Sequence, residues 1–297
     1  MKRFDGNPIL KPIGEHEWES RAVFNSASIL LDGKIHLLYR ALGNDNISRV
    51  GYATTTDGFH IDERLPNPVF TPVVNAENAG CEDPRLTLLD DSLQMTYVAF
   101  GQYAYHRVYQ VALTSISTSG FLDRKWQWGQ RKLCLPGIRN KDAVVFPKRI
   151  NGEYVMFLRF APDICIARSS DLELWYKLKF VMGPRLDSWD SYVIGSTGTP
   201  IELNEGWLFI YHGVNYSKVY SLGVALLDKK NPEQVIYRCK DPILTPEKDY
   251  ERFGKVPNVV FSCGNVLLDD KVLVYYGGAD SVLCVATYDL SELLPKK

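Results

Sequence analysis

Apolar and polar positions alternate along most of this chain in short runs, and the runs come in pairs. Residues 28–40 give the clearest case: an apolar stretch ending at Leu31, the pair Asp32-Gly33, and a second alternating stretch from Ile35 to Tyr39. Alternation with a period of two predicts strands, and Asp-Gly between two such runs predicts a tight hairpin. The pattern returns at 85–99, 143–159, 199–212 and 259–277, turning at Asp90-Asp91, Asn151-Gly152, Glu205-Gly206 and Asp269-Asp270. The turns at 32, 90, 151, 205 and 269 stand 58, 61, 54 and 64 residues apart. Another strand-like run follows at 50–58, 164–172, 221–228 and 282–290. Each stretch of about 60 residues therefore holds three or four strands, the content of one propeller blade.

Five such units nearly exhaust the 297 residues. Long runs with a 3.6-residue period are scarce, and 16 prolines and 22 glycines interrupt the chain often. A β-sandwich would give no period near 60, so the expected fold is all-β, a five-bladed β-propeller. It should form one domain over 1–297, because cutting a propeller exposes blade faces.

Composition narrows the function classes. The chain is 45% hydrophobic and 23% charged, which fits a folded globular protein. With 34 Lys and Arg against 35 Asp and Glu the net charge is -1, so there is no general basic field for nucleic acid. No run approaches the ~18 apolar residues of a spanning helix. The basic start, Met1-Lys2-Arg3, lacks a following apolar core, so no signal peptide is expected. A soluble, cytoplasmic protein without nucleic-acid or membrane partners follows as the expectation; a homo-oligomer is compatible with it and not required by it. The six cysteines form no Cys-x-x-Cys pair, so neither a metal site nor any other cofactor is expected, and reduced, partly buried thiols are.

In a propeller the innermost strand of each blade lines a central funnel, and equivalent positions of the five repeats converge there. At the starts of the inner strands stand Phe24-Asn25-Ser26, Glu82-Asp83-Pro84-Arg85, Asn140-Lys141-Asp142, Thr197-Gly198 and Pro257-Asn258. At the ends of their partners stand Arg40, Phe100, Arg159, His212 and Asp280. Antiparallel geometry brings both sets to one edge of the sheet. Two carboxylates (Asp83, Asp280), four cations (Arg40, Arg85, Lys141, Arg159) and His212 would share a pocket suited to a polyhydroxylated, partly anionic ligand. Each charge taken singly is more often turn or surface chemistry, and Glu82 could simply pair with Arg85; the joint pattern argues for a site. Pro84 should bias Asp83 towards an extended backbone at the start of its strand. Tyr39, Tyr103, Tyr211 and Trp189 either stack on sugar faces or fill blade interfaces.

The stretches Val23-Phe24-Asn25-Ser26-Ala27, Leu37-Leu38-Tyr39-Arg40-Ala41, Glu82-Asp83-Pro84-Arg85, Asn140-Lys141-Asp142-Ala143-Val144-Val145-Phe146-Pro147, Gly206-Trp207-Leu208-Phe209-Ile210-Tyr211-His212-Gly213-Val214 and Tyr275-Tyr276-Gly277-Gly278-Ala279-Asp280, in this order, resemble glycoside hydrolase family 130. That family comprises mannoside phosphorylases and a smaller set of mannosidases. The resemblance runs from Asn7 to about Leu294 and implies a five-bladed propeller that cleaves a β-mannoside with inversion. It implies Asp83 as the catalytic acid, acting through the sugar 3-hydroxyl. It implies Asn25, Ser26, Arg40, Glu82, Arg85, Tyr211 and Asp280 around the sugar, and Lys141, Arg159 and His212 on inorganic phosphate as co-substrate. Asp142 departs from the asparagine of some relatives, and a carboxylate there would weaken phosphate binding unless it is paired.

Inverting hydrolysis needs an acid and a base roughly 6.5–9.5 Å apart to activate water; phosphate is already anionic and needs cations instead. The cation cluster therefore favours phosphorolysis, and the resemblance, which is to the compact β-1,2 branch of the family, implies β-1,2-mannobiose or short β-1,2-mannan as substrate and α-mannose 1-phosphate as product. A hydrolase of the same fold, a phosphorylase for β-1,4-mannosides and a non-catalytic sugar-binding propeller are the alternatives.

Overall fold

The computed structural model describes residues 1–295. Strand makes up 51% of it and helix 6%, so the protein is all-β. The helices are single turns such as Thr118–Leu122 and Asp249–Arg252, and no helix is long and apolar enough to cross a membrane.

The strands fall into five consecutive antiparallel units. Unit one comprises Ala22–Leu31, Lys34–Leu42, Ser48–Thr55 and Glu63–Arg64. Unit two comprises Gly80–Leu89, Ser92–Tyr103, His106–Ser117 and Lys132–Leu133. A single parallel bridge, Ser48 to Gly80, joins these two into one sheet. Unit three runs Lys141–Val145, Tyr154–Phe160, Asp163–Ser169 and Tyr176–Met182. Unit four runs Val193–Ser196, Trp207–Val214, Tyr220–Leu227 and Val235–Arg238, with Ile201–Glu202 also on its second strand. Unit five runs Val260–Leu268, Lys271–Gly278 and Val282–Asp289, and its fourth strand is Lys2–Arg3 from the other end of the chain.

The first three strands of each unit are buried on both faces along most of their length, which explains runs more continuously apolar than a one-sided sheet would carry. Alternate residues of a strand serve different cores. Leu38 packs with Leu86 and Met95 between units one and two, whereas its neighbours Leu37 and Tyr39 pack with Leu273 and Tyr275 between units five and one. Three further cores fill the interfaces two–three, three–four and four–five. Five units thus share five cores, the last joining the end of the series to its start. At that junction Gly264 comes so close to unit one that a Cβ would lie 2.5 Å from the Ser28 nitrogen.

A second repeat, invisible in the hydrophobic pattern, pins the chain as it enters four of the five inner strands. Glu19, fully buried, accepts the Tyr39 hydroxyl at 2.9 Å and Arg64 Nη2 at 2.6 Å. Glu77 takes Tyr97 and Arg131; Asp190 takes Tyr211 at 2.9 Å and Arg238 at 2.6 Å; Glu251 takes Tyr276 at 2.8 Å and Arg3 Nε at 2.8 Å. In each case the carboxylate precedes the inner strand, the tyrosine lies on the second strand, and the arginine lies on or beside the fourth. Tyr211 is therefore corrected: it belongs to this clip, not to a sugar site. Tyr39 and Trp189 likewise belong to the interfaces between units, packed against Trp18 and Tyr211. Unit three has no clip. Ile138 stands where the carboxylate would, and Leu158 precedes Arg159 as Tyr39 precedes Arg40.

Candidate active site

Where the inner strands begin, three share one irregularity. The ladder slips between Phe24 and Ser26, between Glu82 and Arg85, and between Lys141 and Val144. At each slip an Asx residue has a left-handed backbone: Asn25 (φ 48°), Asp83 (φ 52°) and Asp142 (φ 52°). Asn and Asp tolerate this region better than other residues with a Cβ, and such bulges re-aim side chains at strand ends. The extended backbone expected of Asp83 is thus overturned: pairing in the sheet wins over the bias that Pro84 exerts. The carboxyl still reaches the cavity, by way of the bulge.

The cavity holds about 150 Å3 and is lined by Asn25, Arg40, Asp83, Lys141, Asp142, Arg159, Tyr220, Val256, Val259, Phe261 and Asp280. Asp83 is fixed by one oxygen: Oδ1 accepts Asn25 Nδ2 at 2.9 Å and Arg40 Nη1 at 3.1 Å. No donor among the described residues reaches Oδ2. Burial would raise the Asp83 carboxyl, but the Arg40 and Lys141 charges and the Asn25 hydrogen bond outweigh it and hold the group below the usual carboxylate range. Asp280 goes the other way. It sits half-buried on the turn after Gly278 with a left-handed backbone (φ 51°), and burial, opposed by Arg40, pushes it up to about 6.

Lys141 and Arg159 line the same cavity as an antiparallel pair. Lys141 Nζ lies 3.6 Å from Glu82 and 3.9 Å from the centroid of the Tyr109 ring. Arg159 Nη1 is 3.0 Å from Asp142 Oδ2, though out of line for a hydrogen bond. Burial raises Asp142, yet Arg159 and Arg85 overcome it and bring the group down to about 2, so Asp142 is a paired carboxylate.

Of the other residues expected here, four stand behind the cavity wall. Glu82 binds Arg40 and orients it. Arg85, 1% exposed, gives its donors to Asp142 and to the Asp83, Ser196 and Thr197 carbonyls, tying unit two to units three and four. The Ser26 hydroxyl donates to the Ala27 carbonyl and is fully buried. His212 is fully buried beside Asp142, Nε2 to Oδ2 3.7 Å, and burial carries its ring down to about 3 despite that carboxylate. It is a neutral ring, which corrects its assignment to the phosphate cations. Gly195 makes room for the pair, since a Cβ there would meet His212 Cε1 at 2.4 Å and Asp142 Oδ2 at 2.7 Å. Tyr103, at the tip of its hairpin, donates to the Asn75 carbonyl. Tyr220 and Phe261 were not singled out from sequence. The signal that would have found Asp142 is the shared Asx spacing, since Asn25, Asp83 and Asp142 lie 58 and 59 residues apart.

Buried polar atoms without partners collect here: Asn25 Oδ1, Ser196 Oγ, Asp142 Oδ2 and both His212 ring nitrogens. Natural folds seldom leave such groups unpaired away from a functional site.

Comparisons with known proteins agree with this geometry. Residues 1–295 match a family described as beta-1,4-mannooligosaccharide phosphorylase, glycoside hydrolase family 130. The 1,2-beta-oligomannan phosphorylase of Thermoanaerobacter sp. strain X514 is 42% identical over 99% of this chain and 98% of its own. The beta-1,2-mannobiose phosphorylase of the same strain is 43% identical over the same shares. The Listeria innocua beta-1,2-mannobiose phosphorylase, solved with beta-1,2-mannobiose, superposes with a TM-score of 0.85 at 26% identity, over 98% of this chain and 97% of that one.

Proposed function

The chain belongs to glycoside hydrolase family 130, and from that premise we propose that it is an inverting β-mannoside phosphorylase. Its substrates are β-1,2-mannobiose or short β-1,2-mannan together with inorganic phosphate, and its products are α-mannose 1-phosphate and a shortened acceptor. The β-1,2 linkage rests on the relatives named above. The architecture that fits is a single five-bladed propeller, with the five units as blades and Lys2–Arg3 closing the ring; the five interface cores support it. A cytoplasmic setting fits six buried free thiols.

One observation carries the reading: Asp83 has one oxygen held and the other free among the described residues, in a cavity also lined by Lys141 and Arg159. Asn25, Arg40 and Asp280 would grip the mannosyl unit. Phosphate, anionic at neutral pH, would sit on Lys141 and Arg159 and attack the anomeric carbon opposite the leaving oxygen. As the C1–O bond breaks and the C1–O–P bond forms, the leaving oxygen takes a proton from the sugar 3-hydroxyl, which takes one from Asp83. In synthesis the same carboxylate takes the proton back. Asp83 must hold that proton, although Arg40 and Lys141 oppose it. A phosphate charge brought within a few ångströms relieves that opposition, since like charge raises a carboxyl. Binding of the nucleophile thereby arms the acid.

The test is a panel of mannobioses incubated with and without phosphate and read for α-mannose 1-phosphate. Product should require phosphate and be greatest for the β-1,2 linkage. Free mannose at equal rate in phosphate-free buffer would overturn the proposal. Lys141→Ala or Arg159→Ala should lower phosphate efficiency about tenfold to a hundredfold, the worth of one charged hydrogen bond, with mannoside binding retained.

A further inference from the structure

Beside the central cavity lies a second hollow of about 340 Å3, lined by Arg139, Asn140, Lys141, Arg159, Phe160 and Ala161. Lys141 and Arg159 line both spaces, so these two cations form the wall between them. Half of the lining residues of the outer hollow are cations and none is a carboxylate. Arg139 is exposed, its guanidinium 5.3 Å from the centroid of the Tyr109 ring that also carries Lys141. Stacking on Phe100, centroid to centroid 4.6 Å, holds that ring in place. Lys141 and Arg159 each have a carboxylate nearby, Glu82 and Asp142. Arg139 pairs with no carboxylate among the described residues, and an aromatic face attracts a cation without neutralising it.

Unit three is also the unit without a clip. The other units bring a carboxylate to the segment that enters the inner strand; here Ile138 occupies that position, and Arg139 follows it. Among the described residues, the segment that enters unit three thus carries Arg139 where the other units carry a clip carboxylate close by.

We infer that this hollow is an anion antechamber: inorganic phosphate docks first against Arg139, then passes between Lys141 and Arg159 to the sugar. The inference rests on the phosphorolytic reading above. It separates the paths of the two substrates, because a mannoside already seated over Asp83 need not leave for phosphate to enter. Concave surfaces of one sign concentrate the oppositely charged ligand and raise its on-rate. Arg139 is a recruiting residue in this scheme, with no contact to the reacting atoms.

The experiment compares wild type with Arg139→Ala, Arg139→Glu and Arg139→Lys, measuring initial rates against inorganic phosphate and against mannobiose at low and high ionic strength, together with calorimetric titration of phosphate alone. Arg139→Ala should raise the KM for phosphate about three- to tenfold, with kcat and the mannobiose KM within twofold of wild type. Arg139→Glu should raise it further, Arg139→Lys should restore most of the loss, and salt should shrink every difference by screening. Since Arg139 is exposed, all three should fold, and unchanged melting curves check this. An unchanged phosphate KM, or an equal rise in the mannobiose KM, overturns the antechamber while the phosphate requirement of the wild type stands. Wild-type turnover without phosphate overturns the phosphorolytic reading itself, and the antechamber with it.

Discussion

Glu77 and Asp280 are both carboxyls drawn out of bulk water, and the fold treats them in opposite ways. Glu77, at the perimeter, accepts from Tyr97, from Arg131 and from the Val73 and Val74 amides. Asp280, in the cavity, has no hydrogen bond or ion pair among the described residues, and burial lifts it to about 6. Glu19, Asp190 and Glu251 repeat the first pattern. Asp83 stands between the extremes, satisfied through one oxygen and open through the other. A buried charge with all its partners adds rigidity and little else, whereas one with a missing partner retains capacity for a ligand. The four clips spend that capacity on holding their inner strands by the entry, so the cavity can keep its own.

The comparison breaks most visibly at Asp83. Asp83→Asn keeps size and shape but removes the transferable proton, so turnover should fall ~10²–10⁴-fold with ligand binding largely kept. Phosphorolysis and synthesis should fall together, because one group serves both directions. A variant retaining more than about a tenth of wild-type rate in both directions would move the acid to Glu82 or Asp280. At the perimeter the loss should be one of stability instead. Glu77→Ala strands Arg131 and the Tyr97 hydroxyl, and breaking a buried pair on one side costs about 3–5 kcal/mol. The unfolding free energy from urea denaturation should drop by that amount, seen as a lower midpoint at unchanged slope, while the rate per folded molecule at 25 °C stays at wild type.

Asp280→Asn sharpens the contrast, because here removing a charge should stabilise. The folded group titrates near 6, above its ordinary value of 3.8, so the native state holds a proton that the unfolded chain has already lost. Its contribution is fully present below about pH 4 and disappears as the pH rises through 6. The neutral amide escapes that loss. The variant should therefore gain about 1–2 kcal/mol at pH 7.5, discounted for the water its cavity admits, and nothing at pH 4. Chemical denaturation at both pH values measures this. Mannoside binding should weaken in the same protein.

How far the sequence carried the reader follows the same division. The five hairpins are legible because Asp-Gly, Asn-Gly, Glu-Gly and two Asp-Asp turns punctuate paired strand-like runs, a local signal. The convergence of Asn25, Arg40, Asp83, Lys141, Arg159 and Asp280 was legible because repeats place equivalent residues at one edge. The clips were not: each draws on three segments, with Glu77, Tyr97 and Arg131 spaced 20 and 34 residues apart and Glu251 reaching Arg3 across the whole chain. Nor was the state of His212, since a histidine at a strand end looks like a cation until its burial is known. Asp83 misled by a local rule that pairing in the sheet overrode.

Tyr211 offers the smallest and most discriminating break. From sequence it stands beside His212 in a row of residues bound for the funnel; in the fold its hydroxyl donates to Asp190 and receives Arg238 Nε at 3.0 Å, away from the cavity. Asp190 keeps Arg185 and Arg238 if that hydroxyl is lost, so no charge is stranded. Tyr211→Phe should then cost about 1 kcal/mol, the net worth of an ordinary hydrogen bond, and leave the KM for mannobiose and the KM for phosphate as they are. A sugar-stacking or sugar-bonding Tyr211 would instead raise the mannobiose KM with little change in melting temperature. The two roles move different observables, so a melting curve and one saturation curve on a single variant decide whether the clip ends at Tyr211 or the site begins there.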